Sequence, residues 1–348
     1  MITSYRKADI SFKWIKDLEE QGCFSRVYLA HDENLDHDLV IKEIKKSESK
    51  DKDIYFSEAR LLYKNAHPNI VQVQYAAEDD DNIYIAMPYY YNGTINQRLK
   101  RENLTPNEII RYAIQFISGL NHIHTNGLIH FDIKPNNIML SNRDEAMISD
   151  FGLSKLINDS NRAKPDDSYL LHSPPEWISS NNECGYNYTY DIYQVGVALY
   201  RMCIGAAAFD FEFRSHVTPN QLARAIARGE FPSQQYPAHI PKALRNIIKM
   251  CLHVDPNDRY QSVLDILNAL SSIKNGENLD WRMDHTCAQN TCKWTKNTSN
   301  AILSLEYDAG SKTTLAKRIY SDGKTRKENK LCLTDCNQTK LYSLLKDS

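Results

Sequence analysis

The sequence predicts an α+β protein in three parts: a strand-rich N-terminal part, a mainly helical middle part and a short strand-rich tail. Up to residue 87, short apolar runs separated by polar turns predict five strands. From residue 94 to residue 273, apolar residues recur at helical spacing. A polar linker is predicted at residues 274–278, and strand-like alternation returns after it. The 348 residues suit one large or two unequal domains.

The composition is ordinary for a soluble protein, with 42% hydrophobic residues, 25% charged residues and a formal net charge of −2. This balance indicates neither a global nucleic-acid role nor a membrane role. The first residues carry Arg6 and Asp9 and no apolar core, so no signal peptide is predicted. The longest apolar stretch, residues 195–209, is interrupted by Arg201 and is too short to span a bilayer. We therefore expect a cytoplasmic protein whose eight cysteines are free thiols.

In the N-terminal part, a helix predicted at residues 53–66 interrupts the strands. The strands are predicted at residues 12–18, 27–30, 39–42, 70–75 and 82–87. In the middle part, a long helix opens with Thr105 as N-cap and Pro106 at its first position. His122 and His124 near its end are predicted to be packing or cap residues rather than metal ligands. Further helices are predicted at residues 94–100, 189–203, 219–228, 241–252 and 262–273.

The most informative stretch, residues 128–137, reads L-I-H-F-D-I-K-P-N-N, and Asp150-Phe151-Gly152 follows behind a hairpin-like segment. Together these segments supply a carboxylate, a cation and two further oxygen-bearing side chains in a fixed order. The four residues are Asp132, Lys134, Asn137 and Asp150. Such a set suits phosphoryl transfer, because the transition state spreads negative charge over the phosphoryl oxygens. The plainer interpretation is a polar loop rich in turn-forming residues. The agreement of the spacing with an upstream strand that ends in Lys42 argues against it.

These residues resemble the pattern H-R-D-x-K-P-x-N followed by D-F-G of the eukaryotic-type Ser/Thr protein kinases. The resemblance covers about residues 11–273 and implies the two-lobed protein kinase fold, with a kinase domain over residues 1–273. The N-lobe, about residues 11–87, would hold a five-stranded antiparallel sheet plus a helix. The C-lobe, about residues 93–273, would be mainly helical. The implied reaction transfers the ATP γ-phosphoryl group to a protein Ser or Thr hydroxyl, with Mg²⁺ or Mn²⁺ as the metal.

The resemblance assigns roles to four residues of the central stretch. Asp132 would orient and deprotonate the substrate hydroxyl, and Lys134 would neutralise charge on the γ-phosphate. Asn137 and Asp150 would hold the metal ion that bridges the phosphates. A lysine after D-x resembles the Ser/Thr rather than the Tyr kinases, so the expected partner is a protein with a Ser or Thr acceptor.

The resemblance also implies an ATP-binding set: Gly22, Val27, Lys42, Glu58, Met87 and Tyr90. Only the middle glycine of the family's G-x-G-x-x-G-x-V loop is present, at Gly22. Lys42 would contact the α- and β-phosphates while paired with Glu58. Met87 would be the gatekeeper before the hinge. Pro88 has no N–H, so we expect adenine to bond to another hinge backbone group, that of Tyr90.

Three charged residues match the family's structural motifs. Asp191 opens D-I-Y-Q-V-G, which matches D-x-[WY]-x-x-G, and would bond to the backbone of the catalytic loop. Glu176 ends S-P-P-E, a variant of A-P-E, and Arg259 ends D-P-N-D-R. These last two would form an ion pair, and removing either partner should be costly because the other would stay buried without a counter-charge.

The sequence departs from the family at two control positions. Phe131 replaces the Arg that pairs with a phosphorylated residue in the activation loop, and Phe cannot pair with phosphate. We therefore expect activity that does not depend on activation-loop phosphorylation. Ser168 and Tyr169 stand where the family has a G-T pair, so this motif does not predict the substrate specificity. Two alternatives stay open: a pseudokinase scaffold, and a binding module that acts through the tail and is regulated by the kinase.

The tail, residues 279–348, resembles no family that we recognise. Strands are predicted at residues 301–307, 312–320 and 328–333, with a hairpin at 322–323 and a helix at 338–346. Its small core is expected to include Trp281, Trp294, Ile302 and Leu305. The tail should form a small β-rich appendage, which we expect to dock on the kinase domain.

Two further interpretations of the tail remain open. Its four cysteines (Cys287, Cys292, Cys332 and Cys336) could bind zinc, although their loose spacing favours buried thiols. Residues 312–330 hold seven Lys or Arg against two acidic residues, which suits nucleic acid or an acidic partner but is more typical of a solvated face. Apart from this basic tail, a nucleic-acid partner is not expected.

Overall fold

The computed structural model describes residues 10–18, 25–46, 56–165, 169–179, 185–273, 278–284 and 291–348, without the side chains of residues 57–59. The N-lobe sheet has five antiparallel strands in the order β1-β2-β3-β5-β4. The strands are β1 (Phe12–Asp17), β2 (Ser25–Asp32), β3 (His37–Lys45), β4 (Tyr75–Glu78) and β5 (Asn82–Pro88). Helix α1 (Ser57–Lys64) follows β3, and its Leu62 is buried in the main core. The expected N-lobe architecture is thus confirmed.

One predicted strand of the N-lobe is wrong. Most of residues 70–75 lies outside the sheet, and β4 begins only at Tyr75. The Val71 N–H donates to the Ile148 carbonyl at 2.8 Å, and the Ile148 N–H donates to the Asn69 carbonyl at 2.9 Å. Because these backbone groups form hydrogen bonds with a hairpin of the C-lobe, they are not available to the sheet.

The C-lobe is built from eight helices in the described residues. They are α2 (Ile95–Arg101), α3 (Pro106–Thr125), α4 (Pro175–Ser179), α5 (Thr189–Ile204), α6 (Ala206–Arg214), α7 (Pro219–Ala227), α8 (Lys242–Cys251) and α9 (Val263–Ser271). Helix α3 packs on α5 and α9, and α5 packs on α8. Thr105 and Glu108 form a reciprocal capping box at the start of α3, which satisfies two backbone donors there.

Helix α6 was not predicted, because the apolar run continues from α5 without a polar break. Gly205 ends α5 with a φ of 84°, a left-handed conformation that favours glycine, and its backbone lies against Asn103 where a Cβ would clash. No single helix in the described residues is long and apolar enough to cross a bilayer. The pair α5 and α6, bent by 114°, meets that test of length and composition only when taken together.

Two small two-stranded sheets of the C-lobe surround the central motif. Strand β6 (Leu128–Ile129) pairs with β9 (Lys155–Leu156), and β7 (Ile138–Leu140) pairs with β8 (Ala146–Ile148). A 3-10 turn over Pro135–Asn137 connects the catalytic loop to β7. Both sheets are antiparallel, and their backbone ladders fix where the loops between them begin and end.

The appendage is an antiparallel meander of five strands plus a helix. Its elements are β10 (Arg282–Met283), β11 (Thr291–Asn297), β12 (Ala301–Asp308), β13 (Thr313–Tyr320), β14 (Thr325–Lys327) and α10 (Gln338–Asp347). Trp281, Trp294 and Leu305 lie in its core as expected. Ile302 does not: it is 43% exposed, because strand alternation places it on the face opposite Leu303.

The predicted strand at residues 328–333 is also wrong. The returning strand is β14, which is short, and the chain then forms a 3-10 turn over Asn329–Leu331. Strands β10 and β11 were not predicted. Among the cysteines within the described residues, Cys203, Cys251, Cys332 and Cys336 are free thiols, as expected. No group of three potential metal ligands among His, Cys, Asp and Glu gathers in the described parts of the chain, and Cys287 lies outside them.

The appendage docks on the C-lobe through specific polar contacts. Trp294 Nε1 donates to His239 Nδ1 at 3.0 Å, and burial together with the charge of Arg245 lowers the pKa of His239 to about 3. His239 is therefore neutral and can accept this hydrogen bond. Arg282 donates to both carboxylate oxygens of Glu108 at 3.0 Å. Ala238 of the C-lobe also belongs to the core of the appendage, so the two parts share apolar surface.

Candidate functional site

Asp132 lies in the loop between β6 and the 3-10 turn, held by its neighbours. Asn137 Nδ2 donates to the Asp132 carbonyl at 2.9 Å and to its Oδ2 at 2.8 Å. Lys134 Nζ contacts the same Oδ2 at 2.9 Å. Within the described residues, Oδ1 accepts no hydrogen bond, so one oxygen of an otherwise fixed carboxylate is available to a substrate hydroxyl.

The loop that carries Asp132 is anchored by Asp191, a completely buried residue in the first turn of α5. Its carboxylate accepts the backbone N–H groups of His130 and Phe131, both at 2.8 Å. His124 Nε2, at the end of α3, lies 2.8 Å from Oδ2, the same oxygen that accepts the His130 N–H. Hydrogen bonds to an ionised acceptor are stronger than those between neutral groups, so this site pins the loop firmly.

This geometry corrects the prediction for His124. Its ring stacks on Tyr188, with ring centroids 4.4 Å apart, but it also bonds to Asp191 and so belongs to the support of the catalytic loop. His122 has no such role: it stacks on His67. Sequence spacing could not distinguish the two histidines, because Asp191 is 67 residues away from His124.

Gln194, one turn after Asp191, is a positioning residue that the sequence reasoning missed. Its Oε1 accepts the Ile133 N–H at 2.9 Å, and its Nε2 donates to the Phe131 carbonyl at 2.8 Å. Residues three positions apart on a helix lie on the same face, so Asp191 and Gln194 bond to the loop from the same side. That i, i+3 spacing of two polar residues in an apolar helix was the available signal.

Phe131 is buried, 1% exposed, with a φ of 65°. Its ring packs edge-on against Tyr190 of α5, with centroids 5.0 Å apart, in a cluster that also contains Ala163 and Tyr186. Ala163 and Tyr186 exchange two backbone hydrogen bonds, of 2.9 and 2.7 Å. The apolar side chain thus joins the catalytic loop to the segment that follows Asp150 and to α5.

The two metal-binding candidates, Asn137 and Asp150, are separated in sequence by the β7–β8 hairpin but lie beside one another in space. The Ser149 N–H donates to the Asn137 carbonyl at 2.9 Å, which places Asp150 next to Asn137. Burial alone would raise the pKa of Asp150, but Lys42, whose Nζ lies 3.0 Å from Oδ1, holds it below its ordinary value. Asn137 Oδ1 accepts no hydrogen bond from the described residues. An ionised carboxylate and an amide oxygen fit the preference of Mg²⁺ for oxygen ligands.

The remaining ATP-site candidates lie around the inner strands of the N-lobe. Val27 of β2 faces Lys42 of β3 in the ladder, and Met87 near the end of β5 faces Val40. The Tyr90 carbonyl accepts the Gly93 N–H at 3.0 Å, and no hydrogen bond from the described chain engages the Tyr90 N–H. Gly22 and the side chain of Glu58 lie outside the described residues, so their roles stay predictions.

Arg259 and Glu176 form a bidentate ion pair, with N–O distances of 2.9 and 2.7 Å. Arg259 also donates to the Thr189 carbonyl at 2.9 Å and to the His253 carbonyl at 2.7 Å. This buried guanidinium therefore ties α4 to the start of α5, the turn that carries Asp191. Because a guanidinium carries several N–H donors, this one side chain can bond to both elements.

Tyr169 is the described member of the pair that replaces the family's G-T, since Ser168 lies outside the described residues. Its ring is 55% exposed and stacks on His172, with centroids 5.8 Å apart. Lys134 Nζ lies 5.6 Å from the ring centroid, within range of a cation–π contact. Burial, with the charges of Lys134 and Arg201, lowers the pKa of His172 to about 3, so the ring beneath Tyr169 is neutral.

Comparison with known proteins agrees with this geometry. A family model described as "Protein kinase domain" matches residues 20–270. A probable serine/threonine-protein kinase of Clostridium acetobutylicum is 32% identical over 259 residues, which are 72% of this chain and 38% of the relative. The serine/threonine-protein kinase PrkC of Bacillus subtilis is 29% identical over 252 residues, 70% of this chain and 38% of the relative. The chain thus spans less than half the length of these relatives, and the family match ends before the appendage.

Replacing Gln194 with Met should loosen the catalytic loop. The change leaves the Ile133 N–H and the Phe131 carbonyl buried without partners, so the free energy of unfolding should fall by roughly 2–5 kcal/mol. Hydrogen exchange at the Ile133 amide should accelerate, measured by NMR or mass spectrometry.

The matched control for this change is Gln115→Met, because Gln115 Oε1 accepts a single N–H, that of Ala146, away from the catalytic loop. It should lower stability by roughly 1–3 kcal/mol and leave exchange at Ile133 unchanged. Equal exchange at Ile133 in both variants would contradict the positioning role of Gln194.

Proposed function

The chain belongs to the protein kinase family, and from this premise we propose that it transfers the ATP γ-phosphoryl group to a Ser or Thr hydroxyl of a protein. The observation that supports this proposal most directly is how the carboxylate of Asp132 is held. One oxygen of its carboxylate is fixed by Lys134 and Asn137, while the other accepts no bond from the described chain. A group held in this way can orient an incoming hydroxyl without reorganising.

The proposed reaction is an in-line displacement at the γ-phosphorus. The substrate oxygen forms the new bond, the bond to the β,γ-bridging oxygen breaks, and ADP leaves with that oxygen. Asp132 takes the hydroxyl proton, and Lys134 neutralises charge on the transferring group. Asn137 and Asp150 would hold Mg²⁺ or Mn²⁺, which supplies further charge neutralisation at the phosphates. Lys42 would contact the α- and β-phosphates, with Val27 and the hinge at Met87 and Tyr90 around the adenosine.

We further propose that this activity does not require activation-loop phosphorylation. Phe131 offers no cation to a phosphate, and its ring already links the loop to Ala163 and Tyr190 through apolar packing. Burying an aromatic side chain contributes roughly 1.5–3 kcal/mol, comparable to a few charge-assisted hydrogen bonds. Two serines of the activation loop (residues 150–176), Ser154 and Ser173, are buried and are therefore poor phosphate acceptors.

Asp132→Asn should lower the rate of phosphoryl transfer by roughly 10²–10⁴-fold, the usual contribution of a general base. Transfer of label from γ-labelled ATP to a mixture of protein substrates measures it. Asp159→Asn is the matched control, since Asp159 is exposed in the segment that follows β9. The transfer rate of this variant should stay within about twofold of that of the unmodified protein. Nucleotide binding without transfer by the unmodified protein would instead support the pseudokinase alternative.

Removing three candidate acceptors of the activation loop should leave activity in place. The triple variant Ser160→Ala, Ser168→Ala, Tyr169→Phe removes three hydroxyl groups of the loop and keeps the aromatic ring beside Lys134. Its transfer rate should stay within about threefold of the unmodified protein, because Phe131 offers no cation that a loop phosphate could engage. A large loss in a variant whose melting temperature is unchanged would show that a loop phosphate is needed.

A further inference from the structure

Two pairs of like charges face each other at the edge of the appendage sheet. In the β13–β14 ladder, Lys317 lies opposite Lys327 and Arg318 lies opposite Arg326. Side chains directly opposite each other in an antiparallel pair are close neighbours, and like charges there destabilise the sheet. All three residues of β14 are exposed, so burial of apolar surface does not compensate.

Opposite charges face each other elsewhere in the appendage sheet. In the β11–β12 ladder, Lys293 lies opposite Glu306, which is an attractive arrangement. At the β13–β14 edge, Glu328 accepts a hydrogen bond from Arg318 Nε at 2.7 Å. Arg326 and Lys327 form no salt bridge with any carboxylate in the described parts of the chain. The edge therefore keeps an excess of positive charge that the fold itself does not need.

The same edge contains a groove of about 510 Å³, a volume in the range of ligand-binding clefts. Four cationic side chains line it: Arg318, Arg326, Lys327 and Lys330. The lining also includes the half-buried ring of Tyr320, Asn300, Asn329 and Glu328, whose carboxylate is paired with Arg318. The groove thus combines anion-binding groups with an aromatic face and an amide, and it lies far along the chain from Asp132.

The distribution of the cations indicates what kind of anion would fit. Strand alternation puts Arg318 and Arg326 on the face that carries Tyr320, and Lys317 and Lys327 on the other face. A single phosphate group could neutralise only one of these pairs. A chain with a phosphate on every unit can follow the edge strand and reach both. An aromatic ring beside such a charged track is the arrangement on which unpaired bases stack.

We propose that the groove and edge formed by β13 and β14 bind single-stranded nucleic acid. The phosphates would contact Arg326, Lys327 and Lys330, since Arg318 is already paired with Glu328, and a base would stack on Tyr320. This binding is separate from phosphoryl transfer, because none of these residues belongs to the catalytic site. It gives the appendage a function of its own beside the kinase domain.

The test uses the full chain and fluorescein-labelled homopolymer RNA and DNA strands of about 12 nucleotides, a length suited to one small binding surface. Fluorescence anisotropy gives the dissociation constant across salt concentrations from about 50 to 200 mM. The double variant Arg326→Gln, Lys327→Gln should bind at least about 10-fold more weakly. Its dependence of log K on log salt should be shallower by about 1.4, since two phosphate contacts are lost.

The matched control is Lys312→Gln, Lys340→Gln, which removes the same charge from exposed sites of the appendage outside the groove. Its affinity for the oligonucleotide should stay within about threefold of that of the unmodified protein, because these lysines lie outside the proposed binding groove. Tyr320→Leu should weaken binding by roughly 5–100-fold without changing the salt slope, since it removes stacking and no charge. Both double variants should retain their transfer rate, so this result does not depend on the proposed kinase activity.

The melting temperature is a second measurement, and it distinguishes a binding role of these cations from a structural role. Removing one partner from each like-charge pair should raise the melting temperature of the Arg326→Gln, Lys327→Gln variant while its binding weakens. A lower melting temperature with unchanged binding would overturn the proposal. Failure of every oligonucleotide to bind at the lowest salt would also overturn it. Equal affinity for poly-glutamate or a phosphopeptide would overturn it in favour of an acidic protein partner.

Discussion

The buried carboxylate of Asp191 is the interaction on which the active site depends. A charge taken out of water must be compensated by hydrogen bonds, and Asp191 obtains them from His124 and from two consecutive backbone N–H groups, those of His130 and Phe131. Satisfying the carboxylate therefore dictates the path of the backbone just before Asp132. The left-handed conformation of Phe131 is part of that path. Strain of this kind persists only where the surroundings hold it, and here α5 supplies both Asp191 and the ring of Tyr190.

Helix α3 connects this anchor to the appendage. Glu108 in its first turn accepts hydrogen bonds from Arg282 of the appendage, and His124 in its last turn contacts Asp191. The appendage also covers His239 and contributes a core that includes Ala238 of the C-lobe. It is therefore a packed part of the lobe rather than a module on a loose tether. Its exposed basic edge is the part that the kinase fold does not use.

Much of the fold and of the site was predictable, because spacing along the chain carried the information. The order of Asp132, Lys134, Asn137 and Asp150 within a short stretch predicted a site whose geometry the structure now describes. Residues that act across long sequence separations were harder to find. The partners of Gln194 are more than 60 residues away, and its amide looks like any other polar residue in a helix. Ile302 failed for a different reason: it and Leu305 were both assigned to the core, although strand alternation places these two residues on opposite faces of the sheet.

The central claim is that Asp191 and the apolar contacts of Phe131 assemble the catalytic loop without a phosphate. The most direct measurement is the time course of transfer from γ-labelled ATP by phosphatase-treated protein shown by intact mass spectrometry to carry no phosphate. The account predicts a linear time course from the first turnover, at the rate of untreated protein. A lag that disappears after preincubation with unlabelled ATP, together with the appearance of phosphate in the activation loop, would contradict it.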